Sequence, residues 1–179
     1  MLGWIFKTLR KLRRDDKGGV TVEFVIVFPV FMSLFISVFE SGLMMTKVMM
    51  LERGLDLTVR QIRLAPSSTA ITHDAVKTMI CDHALILADC EDNIQIEMVP
   101  IDATTFTMPG RNSQCIDRES EVEPVVSFNA GGQNDIMFIR ACVVVDPMFP
   151  NIGLGLVFTK DSSGGVRLIS SSAFANEPI

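Results

Sequence analysis

The chain has no G-x-S-x-G elbow, no P-loop and no C-x-x-C pair. The short motifs of a hydrolase nucleophile, a phosphate cradle and a zinc or redox dithiol are therefore missing. NIGLGL offers only Gly153 and Gly155 and reads as a turn and strand. Cys81, His83 and Cys90 can be drawn as part of a metal site, but residues two apart on a helix point to different faces, so a disulfide beside a surface or core histidine is the better reading. His73–Asp74 and Asp82–His83 supply bases without a nucleophile motif to serve. The acidic run DRESEVE, 117–123, reads as a solvated loop face. No catalytic residue, metal or cofactor is expected, and the chain reads as non-enzymatic. Internal repeats and extended low-complexity segments are also lacking.

Basic charge is scarce where a nucleic-acid surface would need it. Formal charge is −5 over 179 residues. Residues 1–18 carry +4, from Lys7, Arg10, Lys11, Arg13, Arg14 and Lys17 against Asp15 and Asp16, and the rest sums to −9. Phosphate binding needs basic groups on the folded part, so nucleic acid is not an expected partner.

Charge of either sign is absent from Phe24 to Phe39, and with Glu23 and Glu40 tolerated the apolar stretch runs from Val20 to Met45. As a helix that stretch would cover about 39 Å, more than the roughly 30 Å of a bilayer's hydrocarbon core. The preceding basic cluster puts the N-terminus in the cytoplasm and residues after about Met50 outside, with lipid as a partner. A secretory signal peptide competes, but the run is long for one and no small-x-small site follows it. The expected organisation is a basic cytoplasmic leader at 1–18, a transmembrane helix at 19–46 and an exterior domain at 47–179. Cys81, Cys90, Cys115 and Cys142 all fall outside, where an even count reads as two disulfides. Of three possible pairings, Cys81–Cys90 with Cys115–Cys142 is favoured because it closes two short local loops.

The helical pattern continues past the span. Val48, Leu51, Leu55, Val59 and Ile62 recur at spacings of three and four with charges between them, so one helix is expected over about 19–64, roughly 69 Å long. A turn at 65–74 leads to a second helix over about 74–88, capped by Thr72 or Asp74. After Cys90 the period becomes two: Ile94, Ile96 and Met98 alternate with Gln95 and Glu97 as a half-buried strand. Pro100–Arg118 reads as mostly loop, Val122–Phe128 and Ile136–Val145 as strands joined by NAGGQND, and Val166–Phe174 as a last strand. The expected class is α+β: a long N-terminal helix, membrane-spanning below and amphipathic above, packed on a small antiparallel sheet with a second helix.

Glu23 is the oddity. A carboxylate on the membrane part of a helix is costly and by default implies a partner. Hydration among the headgroups is the bland reading. If the bond after Gly18 were cut, Gly19 would become the first residue and Glu23 the fifth, placed to neutralise the new amine of an adjacent copy. That spacing resembles the class III signal of type IV prepilins. GGVTVEFVIVFPVF followed by Glu40, VMMLERGLDLTVRQIRLA and the ending SSSAFANEPI resembles, across nearly the whole chain, the TadE-like family of minor pilins, or pseudopilins, of the tight-adherence (Flp) pilus.

The resemblance implies cleavage by a dedicated prepilin peptidase, retention in the bacterial inner membrane with a periplasmic domain, and a role in building the pilus with sister pilins and an inner-membrane assembly platform. It assigns Gly18 as the residue before the cut, Gly19 as the new N-terminus, Glu23 as the fifth-position glutamate and Phe24 as the aromatic beside it. Pro29 would kink or locally melt the span, or be a tolerated membrane proline. Glu40 is expected to reach the outer interface in preference to forming a specific ion pair. The rival reading is an uncleaved membrane-anchored binding or sensor domain.

Overall fold

The computed structural model describes residues 19–64, 71–110, 114–119 and 126–177. The leader 1–18 with Gly18, most of the 65–74 turn, most of DRESEVE, residues 122–125 of one expected strand and the last two residues lie outside them. In chain order the elements are helix α1 (Gly19–Arg63), helix α2 (His73–His83), a short helix α3 (Cys90–Asn93), strand β1 (Ile94–Ile101), strand β2 (Ile136–Val145), a 3-10 turn (Gly153–Leu156) and strand β3 (Val166–Ala175). The class is α+β, as the patterning implied.

α1 is one unbroken helix of 45 residues that runs straight through Pro29. Its two halves face different surroundings. Every residue from Gly19 to Phe31 is exposed, whereas Leu51, Leu55, Val59 and Ile62 are buried and Val48 packs partly against them, which is the stripe seen in the sequence. Gly54 belongs to this contact face. A Cβ there would meet the Ile80 carbonyl oxygen at 2.7 Å and the Ala84 Cβ at 3.3 Å, so the missing side chain is what lets α2 lie this close.

Thr72 caps α2, its hydroxyl accepting the Ala75 N–H at 3.3 Å, and Val76 and Ile80 bury against α1. The helix stops at His83, short of the expected residue 88. The Cys81–Cys90 disulfide supplies the physical reason: it holds the two Cα atoms 5.7 Å apart, while a continuous helix would separate them by about 13–14 Å. The chain doubles back instead, through Asp89 in the left-handed region.

The sheet has the order β1-β2-β3 and is antiparallel throughout, with Ile96 opposite Ala141 and Ala141 opposite Ser170. Val122–Phe128 was expected as a further strand; within the described part, residue 128 makes only an isolated parallel bridge to Met98. The Ser127 carbonyl and the Asn129 N–H both bond to Met98, and the Asn129 side chain then accepts the Gly131 N–H to turn the chain.

One face of the sheet, with Ile94, Ile96, Met98, Met137, Ile139, Ala141 and Val143, joins α1 and α2 in the core. The other face is covered over β1 and β2, while Ile169, Ser171 and Ala173 of β3 stay exposed on it. Arg140 is 8% exposed, with its guanidinium 3.3 Å from Glu97 and 2.8 Å from the Gly110 carbonyl. Cys142 is tied to Cys115. The loop expected after β1 thus folds back over the sheet, so β1 is more buried than its alternation suggested: Gln95 is 3% exposed.

Candidate functional site

The start of α1, Gly19–Phe31, is left uncovered by the rest of the described chain. The helix passes the length and composition test for crossing a membrane, with an 18-residue window of mean hydropathy 2.4, none of it buried. Val20, Val22, Phe24, Val25, Ile26, Val27, Val30, Phe31, Leu34 and Phe35 are all large, apolar and exposed. Glu23 is also exposed on this surface, and Phe24 stacks obliquely on Phe28, ring centroids 5.0 Å apart. Glu23 and Phe24 therefore sit together at the start of the helix with Gly19, as the sequence placed them. Gly18 lies outside the described residues.

Glu40 was expected at the outer interface, and the structure shows its side chain buried within the protein. It is 1% exposed, and its two carboxylate oxygens accept the N–H groups of Met148 at 3.0 Å and Phe149 at 3.1 Å. Among the described residues it forms no ion pair. The donors come from Pro147-Met148-Phe149-Pro150, where the two prolines have no N–H, so the two adjacent N–H groups between them are the ones left to satisfy. The clamp holds a lobe, residues 146–160, that leaves β2, passes through the 3-10 turn and returns to β3.

Gly153, at φ +59°, packs against α1: a Cβ there would collide with the Ser37 hydroxyl and lie 3.4 Å from the Ser33 carbonyl. Gly155 makes a similarly close approach to the Phe149 carbonyl. The stretch expected as a turn and strand is a 3-10 turn without a strand, and its two glycines are what lets the lobe close on itself and on the helix.

Charged groups gather where the lobe begins and ends. Lys47 donates to the Asp146 carbonyl at 3.0 Å. Arg118 grips the Asp146 carboxylate with both terminal nitrogens, at 2.9 and 2.6 Å, and its Nε donates to Ser163 at 3.0 Å. Hydrogen bonding from Arg118, opposed by partial burial and reinforced by the Arg118 and Lys47 charges, holds the Asp146 carboxyl below the usual carboxylate range.

A depressed pKa means the stabilisation is fully present above the unfolded value, about 3.9, and is lost as pH falls through the folded one. Denaturant unfolding of the chain and of Asp146→Asn should therefore differ by a constant amount above about pH 5, with the difference shrinking below about pH 4. With the Asp146 side chain 67% exposed, the difference should stay within about 1 kcal/mol. A difference that grew on acidification would reject the assignment.

The opposite end of the domain is fastened by the C-terminal Asn176-Glu177. The Asn176 amide donates to the Ala130 and Gly132 carbonyls, both at 3.0 Å, and Glu177 accepts from Arg63 at 3.0 Å, joining the tail to the last turn of α1. Both disulfides have the favoured pairing, Cys81–Cys90 and Cys115–Cys142. His83 Nε2 lies 3.3 Å from the Gln61 amide nitrogen, and His73 packs edge-on against Phe128. Among the described residues no group of three His, Cys, Asp or Glu side chains could hold a metal ion. An open cleft of about 350 Å³ between α1 and β3 is lined by Glu52, Leu55, Asp56, Ile169 and Ser170–Ser172, with no histidine or cysteine beside them.

The arrangement is one long N-terminal helix, apolar and uncovered below, carrying a small disulfide-bonded α+β domain on its upper half. Residues 18–60 match the sequence model of the family described as TadE-like protein. The match spans nearly all of α1 and bears out, over that segment, the resemblance read from the residues. No curated protein and no solved structure matches the chain.

Proposed function

We propose that the protein is a minor pilin or pseudopilin that takes part in assembling a Tad (Flp) pilus for surface adherence, after a prepilin peptidase removes residues 1–18. The observation that carries this reading is the TadE-like match beginning at Gly18, on a helix whose first thirteen residues, Gly19–Phe31, are all exposed. An uncovered apolar helix of this length needs lipid before assembly and neighbouring helices after it. The protein is then a single-pass inner-membrane protein with its N-terminus in the cytoplasm and residues 47–179 in the periplasm, a compartment that favours disulfides. Its partners are the peptidase, sister pilins and the assembly platform. Glu23 serves as the charge partner of an adjacent copy's terminal amine.

N-terminal sequencing of protein purified from its native membrane tests this directly. The expected start is Gly19, with or without a methyl on the amine. A start at Met1 would leave an uncleaved anchor and remove the basis for the Glu23 pairing.

A further inference from the structure

We infer that the 147–159 lobe is a second membrane element, dipping into the outer leaflet beside the helix; the inference rests on the reading of lower α1 as a membrane span. Three observations carry it.

The first is depth. β2 ends at Val145, and the next residue, Asp146, lies beside α1 at Lys47, whose amine donates to its carbonyl. The chain does not turn back there. It continues down the helix until Gly153 touches Ser33 and Ser37. At the helical rise, with a hydrocarbon core of about 30 Å starting near Gly19 to Glu23, the outer boundary falls near residues 39–43. At about 1.5 Å per residue, Ser33 and Ser37 then lie roughly 3–15 Å beneath it.

The second is composition. Residues 147–159, PMFPNIGLGLVFT, carry no charge, while Asp146 and Lys160 flank them. Met148, Ile152, Leu156 and Val157 are 59%, 46%, 65% and 76% exposed. Together with the apolar surface of lower α1 they form one continuous uncovered patch, far more than scattered surface residues need explain. The charged groups Lys47, Arg118 and Asp146 are gathered at the lobe's upper end, where headgroups would be.

The third is the backbone. Non-helical chain at membrane depth is tolerated only when its polar groups are satisfied within the protein. Here the Met148 and Phe149 N–H groups go to the buried Glu40 carboxylate. The N–H groups of Ile152, Gly155, Val157 and Phe158 go to carbonyls inside the lobe. Pro147 and Pro150 have none to satisfy. In a leaflet, where water is absent, the Glu40 carboxylate gives both N–H groups an acceptor.

The experiment uses depth-dependent quenching of tryptophan by brominated lipids, with the full chain reconstituted at high lipid-to-protein ratio. Trp4 is the single tryptophan, so Trp4→Phe gives a dark background in which Leu156→Trp, Phe31→Trp and Phe106→Trp are each introduced. Phe106, exposed beyond the far end of β1, is the aqueous control. The expected result is several-fold stronger quenching at positions 156 and 31 than at 106, with 156 quenched best by bromines placed shallow in the acyl chains.

Quenching at 31 but not at 156, with water-like emission from 156, would overturn the lobe's insertion and leave the span intact. Blue-shifted but unquenched emission from 156 would assign the patch to a protein neighbour and likewise overturn it. Failure to quench at 31 would sink the span reading itself, and the lobe with it. Position 156 is exposed, so the larger side chain needs no repacking; retention of both disulfides checks each variant's fold.

Discussion

Glu40→Ala is expected to destabilise the domain by about 3–5 kcal/mol and to release residues 146–160 from α1. Hydrogen bonds to a carboxylate contribute about 1.5–3 kcal/mol each, and Glu40 accepts two of them. Truncation also leaves the Met148 and Phe149 N–H groups without an acceptor in a place where Glu40 itself is 1% exposed, and orphaned buried donors keep their full desolvation cost. Glu40→Gln should lie between, at about 2–3 kcal/mol, because one amide oxygen can still accept while the NH2 group faces the other donor. Amide hydrogen exchange at 148 and 149 reads the effect locally, and denaturant unfolding reads it globally. Exchange in Glu40→Ala as slow as in the unaltered chain would show that the clamp contributes nothing.

Glu23→Val should leave the leader cut and the domain folded yet reduce pilus formation by more than about a hundredfold. The folded domain cannot feel the change, since Glu23 is exposed on a stretch of helix whose residues 19–31 are all uncovered. Assembly is a different matter. Removing one partner of a desolvated charge pair typically costs about 3–5 kcal/mol, because the other charge is left uncompensated. Here that other charge would be the terminal amine of a neighbouring subunit. Glu23→Gln should fall short of full rescue, since an amide can hydrogen-bond an ammonium but cannot neutralise it. Counting pili on cells carrying each variant, alongside N-terminal sequencing of the same protein, separates processing from assembly. Normal piliation in Glu23→Val would remove the pairing and favour a glutamate hydrated among headgroups.

The two glutamates show where sequence reasoning reaches and where it stops. Both interrupt the same apolar run, and composition alone treats them alike. Glu23 was legible as a candidate because the signal is local spacing, the fifth residue of a helix counted from Gly19 as the first. Glu40 was not, because its partners lie 108 and 109 residues away in the chain. The paired prolines around Met148 and Phe149 were the available signal: they isolate two adjacent N–H groups, but nothing in the sequence names the acceptor. Gly54 and Gly153 were similarly opaque. A glycine announces freedom or closeness, and only the fold says that Ile80 and Ser37 are what comes close. Asn176 belongs to the ending SSSAFANEPI, yet its work, holding the 130–132 turn to the end of β3, is a long-range fact.

By itself, then, the sequence determined whatever depends on periodicity and near neighbours. The single helix Gly19–Arg63 came from an apolar run that merges into a three-and-four stripe. Strands around Ile94–Met98, Ile136–Val145 and Val166–Phe174 came from β-rich runs bounded by turns, with Pro100 and Ile101 of the expected loop joining β1, and the favoured disulfide pairing, one of three left open, came from short loops between four cysteines. Tertiary structure decided what depends on chain segments meeting: the early end of α2 at His83, the burial of Arg140 and Gln95 under a returning loop, and the descent of the 146–160 lobe along the helix. The reason is physical. Local patterning fixes which surface of an element is apolar, but the desolvation of a particular carboxylate, guanidinium or N–H is set by whatever packs over it, and that is known only once the chain has closed.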